Sequence, residues 1–239
     1  RRRRLGMREQ VAAGTFHSVA LAQLRTWWRE NDRREPDLVD RKISMIRSRL
    51  PRDHRATAAL DVVAEIEWAK ARRIRPEAYA PSAEAAGRTP PLPAPTVARI
   101  YEDYEQEKAD RNMVDFDDLL DQCRHYLTTD RRFANAQRWR FQHLYVDEFQ
   151  DVNPLQFDLL AAWLGGRTEL CVVGDPDQAI YGWNGADADH LNRFDVHFPG
   201  ATMLELRQNY RSTPQVLRLA ARALVGREPV SYTHLRAHA

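Results

Sequence analysis

The sequence has few of the features that mark secreted or membrane proteins. Two cysteines, Cys123 and Cys171, occur in 239 residues, far apart and without a metal-ligand spacing. This excludes a disulfide framework and favours reduced thiols in or near the core of a cytoplasmic protein. No run of about 18 apolar residues occurs, so no membrane span is predicted. Arg1–Arg4 precede Leu5-Gly6-Met7-Arg8 rather than an apolar segment, so no signal peptide is predicted.

What is present is a core-forming composition with an uneven distribution of charge. Hydrophobic residues make up 43% of the chain, charged residues 29%, and the formal net charge is +2, which suits one sizeable domain or two small ones. Arginines are concentrated in the first half and acidic residues between Asp115 and Asp189. A basic segment beside an acidic site fits a polyanion bound next to a metal ion. Charge alone, however, favours an ordinary solvated helical surface.

The first half of the chain has few strand signals. Val11–Thr15 predicts a short strand and Val19–Trp28 a helix. Further helices are expected around residues 37–50, 57–73 and 96–110. The dense prolines of Pro81–Pro95 predict an exposed loop, because proline interrupts helices and central strands. Residues 30–110 are therefore predicted to form an all-helical segment.

From residue 111 the pattern alternates strands and helices. Strands are predicted at Phe141–Val146, Glu169–Val173 and Thr202–Leu206. Helices are predicted over 116–127 with Asp115 as its cap, from Asn153-Pro154 to Gly165-Gly166, and from Thr213-Pro214 to Gly226. This alternation predicts an α/β fold with a parallel sheet and crossover helices. In such sheets the chemistry lies at the carboxyl ends of the strands.

Two adjacent carboxylates, Asp147 and Glu148, follow the first of these predicted strands directly. A carboxylate held at a strand end can bind Mg²⁺ beside nucleotide phosphates, and a neighbouring one can accept a proton from attacking water. A pair of acids that merely ends a strand is the structural alternative, and a lone Asp-Glu pair favours that alternative.

Two more polar clusters follow the other predicted strands. In the segment 174–186, Gln178 can sense a terminal phosphate, and Tyr181 and Trp183 can stack on single-stranded bases, although core packing is equally plausible for either aromatic alone. In Gln208–Thr213, Tyr210 can stack on a purine and Arg211 can bind a phosphate bidentately, with a surface salt bridge as the alternative for Arg211.

In this order and spacing, the strings VDEFQD, GDPDQAIYGWNGA and LRQNYRST resemble motifs II, III and IV of the UvrD/PcrA/Rep family of superfamily 1 DNA helicases. Thr15-Phe16-His17-Ser18 resembles the early DNA-contacting motif of that family, and Val114–Leu119 resembles another short family segment. The similarity covers about residues 1–229. It implies a RecA-like motor domain, called 1A, with a helical insertion, called 1B, over residues 30–110.

The resemblance also implies roles for individual residues. Asp147 would hold Mg²⁺, Glu148 would activate water, and Gln178 and Arg211 would contact the γ-phosphate of ATP. Tyr210 would stack on adenine. The expected DNA contacts are Thr15, Phe16, His17, Tyr181, Trp183 and Asn184. The implied activity is a 3′–5′ ATP-dependent helicase or translocase in DNA repair or replication. It would act on single-stranded DNA and single/double-strand junctions, with no membrane association and with protein partners unknown.

The sequence also departs from the family pattern. The phosphate-binding loop G-x-x-x-x-G-K-[ST] is absent, and Asn184 stands where the family usually has arginine after tryptophan. We therefore expect a fragment that is inactive alone: residues 1–29 and 111–211 from domain 1A, the insertion 30–110, the first helix of domain 2A at 212–229, and a non-native tail at 230–239. A RecB-like helicase–nuclease motor and a DNA-binding module without ATPase activity are the alternatives.

Overall fold

A computed structural model describes residues 13–54, 58–180, 182, 185–206, 208–210 and 212–223. Its α-helices are α1 (Phe16–Glu30), α2 (Lys42–Arg49), α3 (Ala59–Ala71), α4 (Pro76–Ala85), α5 (Ala94–Asp110), α6 (Phe116–Thr129), α7 (Arg131–Arg140), α8 (Pro154–Leu164), α9 (Asp189–Asn192), α10 (Phe194–His197) and α11 (Pro214–Ala223). Its strands are β1 (Asp37–Leu38), β2 (Met113–Val114), β3 (Leu144–Val146) and β4 (Leu170–Val172). Short 3₁₀ helices lie at Arg52–His54, Phe149–Asp151 and Pro176–Gln178.

The strands form two parallel pairs. β1 pairs with β2, with Asp37 opposite Met113, so the pair joins the chain before and after helices α2–α5. β3 pairs with β4 in the register Tyr145 opposite Cys171, and α8 lies in the connection between them. Parallel neighbours need such a crossover connection. The carboxyl ends of β3 and β4 consequently lie side by side.

Two hydrophobic cores organise the described residues. The helical region, which we define as α2–α5, is built around fully buried side chains that include Ile66, Tyr79 and Tyr104. The strand–helix region, which we define as α1 together with residues 113–198, is built around Leu24, Leu120, Phe149 and Leu159. The expectation of a helical segment followed by alternating strands and helices is therefore confirmed in outline.

Local capping explains where the main helices begin and end. Asp115 accepts a hydrogen bond from the Asp118 N–H at the start of α6, and Asn153 accepts one from the Gln156 N–H at the start of α8. The side chains of Asp118 and Gln156 accept in return from the backbone of the cap residue, which completes two capping boxes. Gly165 ends α8 with φ +57°, a left-handed conformation that glycine adopts at little cost.

Several sequence expectations are wrong in detail. No strand forms over residues 202–206, and the strands expected at 141–146 and 169–173 contain only three residues each. Pro81 lies inside α4 rather than in a loop, and residues 37–38 form a strand rather than helix. Thr15 caps α1 instead of ending a strand, and Cys171 is exposed on β4 while Cys123 is buried. Strand formation depends on distant partners, so local patterns predict it poorly.

No helix in the described part of the chain is both long and apolar enough to cross a membrane.

Candidate active site

The two predicted carboxylates lie where β3 ends. Asp147 and Glu148 directly follow Val146, and both are exposed. The Glu148 N–H donates to Asp147 Oδ1 at 3.1 Å. Glu148 has a left-handed backbone (φ +51°, ψ +47°), which is uncommon for a residue with a β-carbon. This turn directs the chain into the 3₁₀ helix Phe149–Asp151.

Gln150 connects the end of β3 to the end of β4. Its side chain is buried (2% exposed), and its Nε2 donates to Glu148 Oε2 at 2.8 Å. Its Oε1 accepts from the Asp175 N–H at 3.0 Å. One amide therefore orients the Glu148 carboxylate and fixes the loop after β4 at the same time.

A glycine makes this close approach possible. A β-carbon on Gly174 would lie 2.7 Å from Gln150 Oε1 and 3.1 Å from the Phe149 backbone nitrogen. The adjacent Phe149 N–H donates to the Val173 carbonyl at 3.0 Å, so the two strand ends are also joined through the backbone. Residue 174 thus has no space for a side chain without displacing Gln150.

Gln178 lies on the same edge of the sheet. The Asp175 side chain accepts from the Asp177 N–H at 3.0 Å and from Gln178 Nε2 at 2.7 Å, which shapes the 3₁₀ turn Pro176–Gln178. Gln178 is exposed. The structure therefore brings Asp147, Glu148 and Gln178 to neighbouring strand ends, as the pattern of motifs predicts.

Asp151 adds a third carboxylate near this edge. Its Oδ1 is buried without a hydrogen-bond partner among the described residues. Partial burial and the nearby charge of Glu148 raise the pKa of Asp151 above its ordinary value. The next residue, Val152, accepts from the Asp187 N–H at 3.2 Å, which ties the end of the 174–186 loop to this turn.

A cleft of about 500 Å³ lies where the two regions meet. Its wall includes Thr15 and His17 from the start of α1, Lys42 from α2, Asp117 from α6 and Asn153 from the start of α8. Burial lowers the pKa of His17, although Asp115 opposes that shift. His17 is therefore favoured in its neutral form, which can donate and accept hydrogen bonds.

The other predicted site residues have different surroundings. Phe16 stacks on Trp163, with ring centroids 5.8 Å apart, and packs against the core. Tyr210 is 75% exposed and donates a hydrogen bond to Gln208. No hydrogen bond between described residues joins Tyr210 to the carboxylates of β3. Tyr181, Trp183, Asn184 and Arg211 lie outside the described residues.

Comparison with protein families gives the decisive observation. The family model described as the UvrD/REP helicase N-terminal domain matches residues 2–199, which is most of the chain. The chain belongs to this family. Membership in the UvrD/REP family implies a RecA-like fold, and the parallel β3–β4 pair with its crossover helix α8 agrees with it.

Individual relatives are similar over different lengths. The ATP-dependent DNA helicase UvrD2 of Mycobacterium tuberculosis is 42% identical over 224 residues, which cover 90% of this chain and 32% of the relative. DNA helicase II of Escherichia coli is 40% identical over 131 residues, which cover 54% of this chain and 18% of the relative. PcrA of Staphylococcus epidermidis is 38% identical over 130 residues. The chain thus spans about a third or less of the length of these relatives.

Sequence reasoning identified the carboxylates but not the importance of Gln150. The string VDEFQD places this glutamine two residues after Glu148, but nothing in the string indicates a partner after β4. The bridge becomes visible once Gly174 brings the loop within hydrogen-bonding distance.

Proposed function

We propose that this chain contributes the hydrolytic half of the first motor domain of an ATP-dependent DNA helicase. The observation that carries the proposal is the Gln150 bridge, which places Glu148 and the Asp175–Gln178 turn on one sheet edge. The names of the relatives, all DNA helicases and two of them ATP-dependent, support it. In this proposal residues 1–29 and 111–211 form motor domain 1A, residues 30–110 form insertion 1B, and residues 212–229 begin domain 2A.

The exposed carboxylates fit ATP hydrolysis with Mg²⁺. Asp147 uses Oδ1 to accept from the Glu148 N–H, which leaves Oδ2 without a partner among the described residues and open to a hard cation. Asp147 would hold the ion, whose charge would offset that of the phosphate oxygens. Glu148, directed differently and oriented by Gln150, would accept the proton of the attacking water. Arg211 and Tyr210 would contact the γ-phosphate and the adenine.

The Gln150 bridge suggests how a change at the bound nucleotide is transmitted to the residues that contact DNA. Gln150 connects the Glu148 carboxylate to the loop that begins at Asp175. In our proposal Gln178 senses the γ-phosphate, and Tyr181 and Trp183 of the same loop stack on bases of single-stranded DNA. A change at the nucleotide would therefore move the stacking residues through a connection only a few residues long.

The cleft between the two regions is the proposed path of single-stranded DNA. Thr15, His17 and Asn153 line it, and Thr15 and Asn153 cap helix N-termini, which favour phosphate groups. We propose movement in the 3′–5′ direction, action on single/double-strand junctions, and a role in DNA repair or replication in the cytoplasm.

The hydrolytic assignment is tested in the full-length helicase that contains this segment. Glu148→Gln should lower the rate of ATP turnover by about 100-fold or more, while nucleotide binding remains. Glu169→Gln is the matched control, because Glu169 is an exposed carboxylate immediately before the opposite end of β4. Normal turnover in Glu148→Gln would show that Glu148 is not the base.

A further inference from the structure

The chain contains only three lysines among its 36 basic residues, Lys42, Lys70 and Lys108. They come from three different helices, α2, α3 and α5, of the helical region. All three side chains are largely removed from solvent, with exposed fractions of 16%, 6% and 3%. All other basic residues are arginines, and the three lysines are thus found at buried or partly buried positions.

The three ammonium groups converge on one oxygen. Asp115 Oδ2 lies 3.0 Å from Lys70 Nζ, 3.3 Å from Lys108 Nζ and 3.7 Å from Lys42 Nζ. It also accepts a hydrogen bond from the Tyr104 hydroxyl at 2.9 Å. The other oxygen, Oδ1, caps α6 by accepting from the Asp118 N–H. A single carboxylate therefore joins the start of α6 in the strand–helix region to three helices of the helical region.

Neighbouring acids complete this lysine cluster. Asp118 contacts Lys70 and Lys108 at 2.5 Å each, and Glu105 contacts the same two lysines at 3.0 and 2.9 Å. Lys42 contacts Glu67 at 3.0 Å. Burial alone would raise the pKa of Asp115, yet Lys70 and Lys42 hold it well below its usual range. The buried charges are thus paired, as buried ions must be to remain ionised.

Lysine suits this geometry better than arginine does. An ammonium is a compact charge with three rotatable hydrogen-bond donors. A guanidinium is larger and planar, and its donors are fixed in direction. Three guanidinium groups could not all approach one carboxylate oxygen within 4 Å. The steric demand of this junction therefore favours lysine over arginine at these three positions.

The cluster also borders the cleft. Lys42 and Asp117 line the cleft together with Thr15 and His17, whereas Lys108 does not line it. Phe116 is the residue immediately after Asp115. Its ring and the His17 ring pack edge-on, with centroids 5.6 Å apart. Residues of the helical region and residues of α1 and α6 therefore line the same cleft.

We propose that Asp115 is a positioning residue: with Lys42, Lys70 and Lys108 it holds the helical region on the start of α6, and so sets the geometry of the cleft. This gives the segment Val114–Leu119 a purpose that its resemblance to a family motif leaves open. The part of the inference that concerns DNA rests on the proposed function. The attachment of the helical region to the start of α6 through Asp115 and the three lysines, which we call the clasp, does not.

The clasp is tested with a lysine-specific endoprotease, which can cut this chain only at these three positions. The wild-type chain should resist cleavage, because each site must open before it can be cut. Asp115→Asn keeps a good helix cap but removes the charge, and cleavage should become at least about tenfold faster. If Asp115→Asn is cleaved as slowly as the wild type, the clasp does not exist.

The positioning role is tested with Lys108→Met, because Lys108 touches Asp115 but does not line the cleft. Its affinity for a fluorescent single-stranded oligonucleotide should fall by about 3- to 10-fold, with an unchanged salt slope because no phosphate contact is lost. Arg111→Met, which removes an exposed ion pair with Glu107 at the end of the same helix, should change neither cleavage nor affinity. Circular dichroism at the assay temperature selects variants that are folded.

The results of these experiments distinguish the clasp from its role in positioning the cleft. Faster cleavage with wild-type affinity in Lys108→Met would overturn the positioning role. If Lys108→Met does not fold, Asp115→Asn serves for the affinity measurement. A wild-type chain without affinity for single-stranded DNA would overturn the proposed DNA path and the positioning role with it, while the proteolysis result would still decide whether the clasp exists.

Discussion

The helical region and the edge of the strand–helix region differ in the exposure of their polar groups. In the helical region, Glu65 is buried and bonded to Arg88 at 2.8 and 2.9 Å and to the Tyr79 hydroxyl at 2.7 Å. At the edge of the β3–β4 pair, Asp147, Glu148 and Gln178 are exposed. The first region pairs its buried charge within the core, and the second leaves its charge exposed. In the proposed function that exposed charge binds the nucleotide, so stability and chemistry would depend on different parts of the chain.

The strongest test of this division is Arg88→Met. The substitution leaves the buried Glu65 carboxylate without its cation and should lower the free energy of unfolding by about 3–5 kcal/mol. Urea denaturation measures the loss, and Arg99→Met on the exposed surface of α5 is the control. A loss similar to that of the control would mean that the ion pair does not specify the packing of the helical region.

The boundary between the two regions is tested by the pH dependence of stability in an Asp117 variant. Burial and the charge of Asp115 raise the pKa of Asp117 to about 6, above its ordinary value of 3.8. Its contribution to stability is therefore present below about pH 4 and is lost as the pH rises through 6. Asp117→Asn should be more stable than the wild type at pH 7.5 by about 2–3 kcal/mol and equally stable near pH 4. Thermal unfolding at both pH values measures this, and a variant less stable at pH 7.5 would contradict it.

Gly174→Ala tests the close packing between the ends of β3 and β4. The added methyl group would meet Gln150 and the Phe149 backbone, so unfolding should become easier by about 1–3 kcal/mol. Hydrogen exchange should quicken at Asp175 and Phe149 but not in α3 or α5. Gly182→Ala is a matched control, because its β-carbon would meet no atom within 4 Å. Equal effects of the two substitutions would argue against the close packing at Gly174.

The smallest effect is expected at the exposed thiol. Cys171 is exposed on β4, whereas burial raises the pKa of Cys123 to about 12. In the native chain one thiol should therefore react quickly with a colorimetric disulfide reagent, and unfolding should release the second. Small alkylating groups on Cys171 should change the free energy of unfolding by less than about 0.5 kcal/mol. Two fast thiols in the folded protein would contradict the assigned burial of Cys123.

The sequence predicts helix ends better than strands. Asp115, Asn153 and Gly165 begin or end their helices as expected, because a cap bonds to backbone only a few residues away. The pattern at 202–206 looks like a strand but has no strand partner among the described residues. The carboxylates were predictable because they follow an apolar run. The roles of Gln150 and Asp115 were not, since each also has partners far away in the chain: Asp175 is 25 residues from Gln150, and Lys70 and Lys42 are 45 and 73 residues from Asp115.

The left-handed backbone of Glu148 has a consequence for stability. A residue with a β-carbon in this conformation costs roughly 1 kcal/mol relative to glycine. Glycine would therefore relax the turn after β3, and the protein would gain stability while losing the carboxylate that Gln150 orients. In the proposed function the Glu148 carboxylate accepts a proton during ATP hydrolysis, so Glu148→Gly would exchange that activity for a more stable fold.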